Sequence, residues 1–260
     1  GPATVTPSAG LAIHGLTLPS GTLAMGALAL NVSGDWVRTG GSATSTGTVT
    51  FNGTVAQAFN PAGSTLQNVT INNTGPATVT LGGALDANGT LTLTSGTLAA
   101  GVNGVNVGGD LVRTGGALTF TTGTLTFDGT VAQAFNPAGS TLYDLVINNT
   151  GPATVTASNI LTIRNLTLTS GTLAMGVNAL NVSGDWVRTG GSATSTGTVT
   201  FNGTAAQAFN PAGSTLQNVT INATGPVTLG GALDANGTLT LTAGTLAAGA
   251  NGVNVGGDFV

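Results

Sequence analysis

The sequence contains no cysteine, no lysine and no glutamate, and its 260 residues include a single histidine and a single tyrosine. Without cysteine, the chain can form neither a disulfide nor a thiolate metal site. Charged residues make up 5% of the chain, as eight Asp and four Arg, against ~25% in soluble domains. A net charge of −4 spread this thinly creates no strong field, which argues against nucleic-acid binding.

The inventory of catalytic groups is equally short. His14 is the one histidine, so no histidine-centred triad or zinc site can be assembled from the sequence. The aspartates are scattered and no calcium repeat of the Gly-Gly-x-Gly-x-Asp type is present. We therefore predict a protein that is not an enzyme and that has no metal site and no cofactor. No apolar run is long enough to predict a membrane span.

What the chain does have is a long internal repeat. The string Gly-Asp-x-Val begins at positions 34, 109, 184 and 257, so the first two spacings are equal and the third is slightly shorter. Residues 20–72 match residues 170–222 at all but three positions. The units are 1–37 (partial), 38–112, 113–187 and 188–260. Gly1 falls inside a unit, and the chain stops at Val260 where the earlier copies continue with Arg-Thr-Gly-Gly, so we expect a processed product or part of a longer protein.

Within each unit the hydrophobic pattern has a period of two. Strings such as Leu91-Thr92-Leu93-Thr94 alternate apolar with polar residues, which predicts strands with one face in a core. Gly, Asn and Pro punctuate these strings at turns, as in Asn60-Pro61-Ala62-Gly63. No segment has the stripe of a helix. Sandwich, propeller and solenoid all fit short, evenly spaced strands.

The fixed repeat favours the solenoid, because stacked units bury faces that one unit cannot bury alone. We predict an all-β fold, a parallel β-helix (β-solenoid) with about four coils per 75-residue repeat. Residues 1–260 are expected to form a single continuous solenoid, since copy number sets the length of such arrays.

The recurring corner motif carries most of the charge. One interpretation makes the Trp and Arg side chains a platform for carbohydrate or a partner. The other is structural: an Asp–Arg pair fixes a corner and the large residue packs beside it. The position accepts Trp, Leu or Phe, so bulk is required rather than an indole, and the structural interpretation is favoured. The motif residues are Asp35, Trp36, Arg38, Asp110, Leu111, Arg113, Asp185, Trp186, Arg188, Asp258 and Phe259.

Threonines alternate along several strands, for example at Thr48 and Thr50 and at Thr90 and Thr92. Ranked threonines on one flat face could bind ice, but threonine is also a common outward residue of strands. Ice binding would require the motif in nearly every coil of one face, whereas Asn72, Asn106 and Val146 interrupt the series. Ice binding is therefore the third hypothesis for function.

The strings Leu-Asn-Val-Ser-Gly-Asp-Trp (30–36), Gly-Thr-Val-Thr-Phe-Asn-Gly-Thr (47–54) and Gly-Thr-Leu-Thr-Leu-Thr-Ser-Gly-Thr-Leu (89–98) resemble repeats of large secreted bacterial surface proteins. These include autotransporter passengers and filamentous-haemagglutinin-like adhesins. The resemblance covers nearly the whole chain and rests on composition. It implies a parallel β-helix, usually right-handed, that serves as a stalk, adhesin or fibre outside the cell or on the bacterial surface.

The first hypothesis for function is a structural extracellular protein that forms or joins a filament or sheath. The copies are nearly identical and neither end has a polar cap, so we expect self-association by head-to-tail stacking of coils at Gly1 and Val260. Other surface or matrix components are further candidate partners. The second hypothesis is the stalk of a cell-surface adhesin.

Overall fold

The computed structural model describes residues 3–75, 77–151 and 153–260. All the regular elements among these residues are strands, and none of them forms a helix, so no helix of the described part could cross a membrane. The strands are β1 (Thr4–Val5), β2 (Leu11–Ile13), β3 (Leu16–Leu18), β4 (Thr22–Gly26), β5 (Leu30–Val32), β6 (Trp36–Arg38), β7 (Ser42–Phe51), β8 (Gln57–Phe59), β9 (Thr65–Asn72), β10 (Thr78–Leu81), β11 (Leu85–Ala87), β12 (Leu91–Ser95), β13 (Thr97–Gly101), β14 (Val105–Val107), β15 (Leu111–Arg113), β16 (Ala117–Phe120), β17 (Thr124–Phe127), β18 (Gln133–Phe135), β19 (Asp144–Asn148), β20 (Thr154–Ala157), β21 (Leu161–Ile163), β22 (Asn165–Ser170), β23 (Thr172–Gly176), β24 (Leu180–Val182), β25 (Trp186–Arg188), β26 (Ser192–Phe201), β27 (Gln207–Phe209), β28 (Thr215–Leu229), β29 (Leu233–Ala235), β30 (Leu239–Ala247) and β31 (Val253–Val255).

The strand pairings are parallel and join each coil to the next one along the chain. The coils differ in length: one of the shortest joins Thr4 to Thr22, and one of the longest joins Trp36 to Phe59. This is the parallel β-solenoid that the repeat predicts. The chain forms two compact units. The first comprises Gly1–Thr126 with Gly139–Thr141, and the second comprises Phe127–Ala138 with Leu142–Val260.

The first unit has three walls, and the chain passes through walls A, B and C in that repeating order after it enters at β1 on wall B. Wall A contains β3, β6, β8, β10, β13 and β16. Wall B contains β1, β4, β11, β14 and the first halves of β7 and β9. Wall C contains β2, β5, β12, β15 and the second halves of β7 and β9. The long strands β7 and β9 turn a corner at a register shift and so belong to two walls.

The second unit has the same construction, with walls D, E and F. Wall D contains β19, β22, β25, β27 and residues 227–229 and 245–247. Wall E contains β18, β20, β23, β29, β31 and the first parts of β26 and β28. Wall F contains β21, β24 and residues 199–201, 219–221 and 239–241, and Phe259 extends it through a bridge to Leu239.

The core lies between the walls and is built from columns of stacked side chains. On wall C, Leu30, Val49, Val69 and Leu91 follow one another in register, and all four are fully buried. Burial of each such side chain stabilises the fold by roughly 1.5–3 kcal/mol. The alternation of the sequence therefore becomes an apolar interior and a Thr- and Asn-rich exterior.

The repeat and the coil do not coincide. Trp36 lies on wall A, and the chain advances by eleven wall segments from there to Leu111, the equivalent residue of the next repeat, on wall C. In the second unit the same advance of eleven segments leads from Trp186 on wall D to Phe259 on wall F. The prediction of about four coils per repeat is confirmed, with three and two-thirds as the observed value. Equivalent residues of consecutive repeats therefore point in different directions.

Candidate functional site

The tryptophans of the corner motif lie in the core. Trp36 is fully buried, with its ring centroid 5.3 Å from that of Phe59 and 6.3 Å from that of Phe51. Trp186 is likewise fully buried, at 5.3 Å from Phe209. A buried indole cannot be a platform for a ligand at the surface. The structure therefore supports the interpretation of the Trp position as a site that requires bulk.

The other two copies of this position differ in exposure. Leu111 is buried on wall C like the tryptophans on their walls. Phe259 is 67% exposed, because the described chain places no further coil over it. Its backbone still pairs with Leu239, and Leu239 N donates to the carbonyl of Asp258. Phe259 thus holds the geometry of the motif without the cover that buries the others.

The aspartates of the motif bind the backbone of the next coil. One carboxylate oxygen of Asp35 accepts a hydrogen bond of 2.8 Å from the N–H of Ala58, and Asp185 accepts the equivalent bond from Ala208. Such charge-assisted bonds fix the position of one coil on the next. The expected Asp–Arg pair is therefore not formed in these two copies, because their arginines bind other groups.

Each arginine of the motif instead donates a hydrogen bond within its own turn and lies against a glycine in a turn of the next coil. Arg38 Nε donates to the carbonyl of Gly41, and Arg188 Nε donates to that of Gly191 at 2.5 Å. The guanidinium of Arg38 also lies against Gly63, where a Cβ atom would come within 2.8 Å of Nη2. Arg113 has the same relation to Gly116 and Gly139. The arginines are therefore structural.

The turn Asn60-Pro61-Ala62-Gly63 contacts the arginine of the motif, and this contact was not predicted from the sequence. Asn60 Nδ2 donates to the carbonyl of Arg38 at 3.2 Å, and Gly63 has a φ of +70° that favours glycine. The signal was present in the sequence, since the turn follows the Asp-x-Val-Arg string at nearly the same distance in three copies. A second missed feature is Gln57, which is buried and donates to the carbonyl of Val32 at 3.1 Å.

The single histidine lies at the surface of the first unit. His14 is exposed, with Nδ1 at 3.3 Å from Ser33 Oγ, and its ring lies over Gly34. Among the described residues, no group of three or more His, Cys, Asp or Glu side chains is close enough to hold a metal ion.

The threonine ranks are short. On wall C, Thr50, Thr70 and Thr92 point outward in register, with Asn31 before them and Val112 after them. On wall F, Thr200, Thr220 and Thr240 form the same rank of three coils. The advance of eleven segments per repeat prevents the ranks of consecutive repeats from extending one another on one wall.

The structure describes only one of the two residues that are expected at assembly ends. Gly1 lies outside the described residues. Val260 is 69% exposed, and its N–H donates to the carbonyl of Leu239. In the first unit, a pocket of about 260 Å³ is lined by apolar side chains that include Val5, Leu16 and Leu23. The outermost coils thus present part of their apolar interior.

The class that these features define is a parallel β-solenoid, with three walls in each of the two units. Comparison with known proteins gives no match among family models, curated proteins or solved structures.

Proposed function

We propose that the protein is a structural element of an extracellular filament or sheath, in which solenoid coils stack head to tail. The observation that carries the proposal is the advance of eleven wall segments per repeat, seen from Trp36 to Leu111 and from Trp186 to Phe259. It moves each surface feature from one wall to another in successive repeats. A fibre component that meets neighbours on every side benefits from such a surface.

The same observation weighs against ice binding. A flat ice-binding face needs the same residues on one wall in coil after coil, and here a rank such as Thr50, Thr70 and Thr92 ends at Val112. The stalk of an adhesin remains the alternative, since a stalk also needs length without a preferred face. The resemblance to secreted bacterial repeats supports a location outside the cell or on its surface for either function.

The outermost coils support stacking as the mode of assembly. Val5 and Val253 are exposed although they occupy columns that are buried in inner coils, and Phe259 is exposed in the position that buries Trp36. A coil placed over them would cover apolar surface and would pair free strand edges. We propose that this coil comes from another copy of the protein.

Electron microscopy of the purified 260-residue chain over a range of concentrations tests the proposal. We expect filaments that lengthen with concentration, because a contact between unlike ends does not close on itself. A variant with a polar, charged capping coil added after Val260 should remain folded but fail to elongate. Single particles at every concentration would contradict self-assembly, and normal filaments from the capped variant would contradict head-to-tail growth.

A further inference from the structure

The last coil of the second unit ends in a stepped edge. Residues 245–247 lie on wall D, β31 lies on wall E and Phe259 continues wall F. Each of these segments pairs with the preceding coil, and the described chain places no strand on its other side. Because the chain rises as it winds, this edge is highest at Phe259 and drops by one coil on wall D. A partner that covers the whole edge must therefore begin on wall D.

The first coil of the first unit has the complementary edge. In the described part of the chain, β1 on wall B, β2 on wall C and β3 on wall A pair only with the following coil. Residues 20–72 and 170–222 are nearly identical in sequence, so the two units wind in the same sense. If β1 of one copy lies on residues 245–247 of another, β2 falls on β31 and β3 falls on Phe259. The other two rotations leave at least one wall segment without a neighbour.

The inward side chains of the two edges match in this arrangement. Each inward residue of either edge pairs in register with a buried residue of its own unit, as Leu246 does with Val227 and Val5 with Leu23. All of them therefore belong to core columns that stop at the edge. The columns that would meet are Leu246 with Val5, Val253 with Leu11, and Phe259 with Leu16.

The lengths of chain at the two ends also match one coil. If Val260 of one copy is counted as directly preceding Gly1 of the next, Thr245 and Thr4 are 19 residues apart. Within the second unit, Thr245 follows its register partner by the same 19 residues, and in the first unit Thr4 precedes Thr22 by 18. The end of one copy and the start of the next would thus share a coil without overlap.

The exposed ring of Phe259 finds an apolar space at this joint. At the equivalent position, Trp36 packs against Phe59 from the coil above. In the first unit, a pocket of about 260 Å³ opens beside Val5 and Leu16. With β3 on Phe259, the ring faces Leu16 and enters this pocket, which removes apolar surface of both copies from water.

Asp258 provides a polar contact that is specific to this register. In the first unit, the carboxylate of Asp35 accepts the N–H of Ala58 from the coil above. The carboxylate of Asp258 accepts no hydrogen bond from the described residues, and the N–H of Gly15 has no acceptor among them. With β3 on Phe259, Gly15 lies over Asp258 as Ala58 lies over Asp35. The joint therefore pairs a free acceptor with a free donor.

We propose that two copies join in this one register, with walls B, C and A of one copy on walls D, E and F of the other, and with Asp258 bound to the N–H of Gly15 of the next copy. The inference rests on the proposed head-to-tail assembly and adds the residues that make the contact. Each joint then continues the winding of the coils, and both edges lose their free strand positions.

Introduced cysteines report the register directly, because the chain has none of its own. Ala12→Cys/Asn254→Cys places outward thiols on β2 and β31, and strands ~4.8 Å apart satisfy the Cα separation of a disulfide. After oxidation, we expect a ladder of oligomers on non-reducing gels. Thr4→Cys/Asn254→Cys and Thr17→Cys/Asn254→Cys are the matched controls. They report the other two rotations and should remain monomeric on the gel.

The Asp258 contact is tested separately by light scattering over a range of concentrations. Asp258→Ala should raise the critical concentration for assembly about tenfold, since one charge-assisted hydrogen bond is lost at each joint. Asp86→Ala removes the same charge from an exposed position of an inner coil and should leave the critical concentration unchanged. Circular dichroism of each variant reports whether the strands are retained.

The outcomes separate the register from assembly itself. Filaments that give no ladder with the first cysteine pair, or that give one with a control pair, overturn this register and leave head-to-tail assembly standing. An unchanged critical concentration for Asp258→Ala likewise overturns the register. If electron microscopy shows no filaments and none of the three cysteine pairs gives a ladder, both the register and the proposed assembly are overturned.

Discussion

Trp36 packs against Phe59, its partner in register on the next coil of wall A, with the two ring centroids 5.3 Å apart and the rings tilted by 54°. Phe51, from wall C, reaches the same cluster and lies 4.3 Å from Phe59. Aromatic contact therefore joins two coils and two walls at each tryptophan. The indole N–H of Trp36 has no hydrogen-bond partner in this cluster, so the tryptophan contributes through packing.

This arrangement predicts that Trp186 tolerates another aromatic ring but no charge. Trp186→Phe should cost about 1 kcal/mol or less, since the lost contacts are offset by removal of an unpartnered N–H. Trp186→Asp should cost several kcal/mol, because it places an unpaired charge in the core. Chemical denaturation measures both. Loss of a binding activity in a well-folded Trp186→Phe variant would instead restore the idea of a recognition platform.

The contact between Arg38 and Gly63 predicts a second, graded effect. Gly63→Ala should cost more than Gly101→Ala, although both glycines have a positive φ, which costs ~1–2 kcal/mol for alanine. Only at Gly63 does the new Cβ meet the guanidinium.

Thermal unfolding of the variants checks this prediction. In the double variant Arg38→Ala/Gly63→Ala, the extra cost of the Gly63 substitution should disappear, as a double-mutant cycle would show. Equal destabilisation by Gly63→Ala and Gly101→Ala would mean that the arginine contact is dispensable.

Two buried asparagines at the same position of consecutive repeats should respond in opposite ways to alanine. Asn73 is fully buried, and neither polar atom of its amide has a partner, whereas Asn149 donates to Gln133 Oε1 at 2.6 Å. The third copy carries Ala223 there. Asn73→Ala should therefore be neutral or stabilising, and Asn149→Ala should cost about 1–2 kcal/mol. Denaturant midpoints decide; a large loss on Asn73→Ala would reveal a hidden partner.

Assembly is expected to be insensitive to salt. The chain has four Arg and eight Asp, and Asp35, Arg38 and Asp185 bind backbone groups within the fold. Contacts between copies must then consist mainly of backbone hydrogen bonds and neutral surfaces, which salt screens little. Light scattering in ~1 M NaCl should show undiminished assembly, and dissolution of the filaments would refute this explanation.

The mismatch between repeat and coil has a signature in fibre diffraction. Stacked strands should give a meridional spacing of about 4.8 Å. Three repeats pass through eleven coils, so equivalent residues return to the same wall after about 53 Å at that spacing. Aligned filaments should show a layer line there. A layer line at about 19 Å, the height of four coils at that spacing, would indicate repeats that align on one wall.

The sequence predicts much of this fold because its patterns are local. The alternation of Leu91, Thr92 and Leu93 is found in β12 as buried, half-buried and buried residues, and the burial of Trp36 and Leu111 agrees with a position that requires bulk. The wall on which the equivalent residue of each repeat lies could not be predicted from the sequence in the same way. Coils vary in length, since bulges and turns lengthen some of them more than others, and dividing the repeat by an average coil gives a value that rounds to four.

The contacts within the candidate site could not be predicted from the sequence, for a different reason. The sequence does not reveal that Ser195 is buried and that its Oγ has no hydrogen-bond partner within the protein. The Arg38 contact with Gly63 likewise joins residues of adjacent coils. Such relations follow from how coils stack, and the stacking register is set by bulges that composition does not reveal.

Because each repeat advances by eleven wall segments, the number of repeats also sets the direction in which distal residues face. Gain or loss of one whole repeat would shift every later residue by eleven wall segments. Each unit added or removed would therefore turn everything beyond it by one-third of a circumference. Only changes in multiples of three would preserve the direction in which distal residues face, so variants of this array could alter the azimuth of whatever they carry while leaving its fold intact.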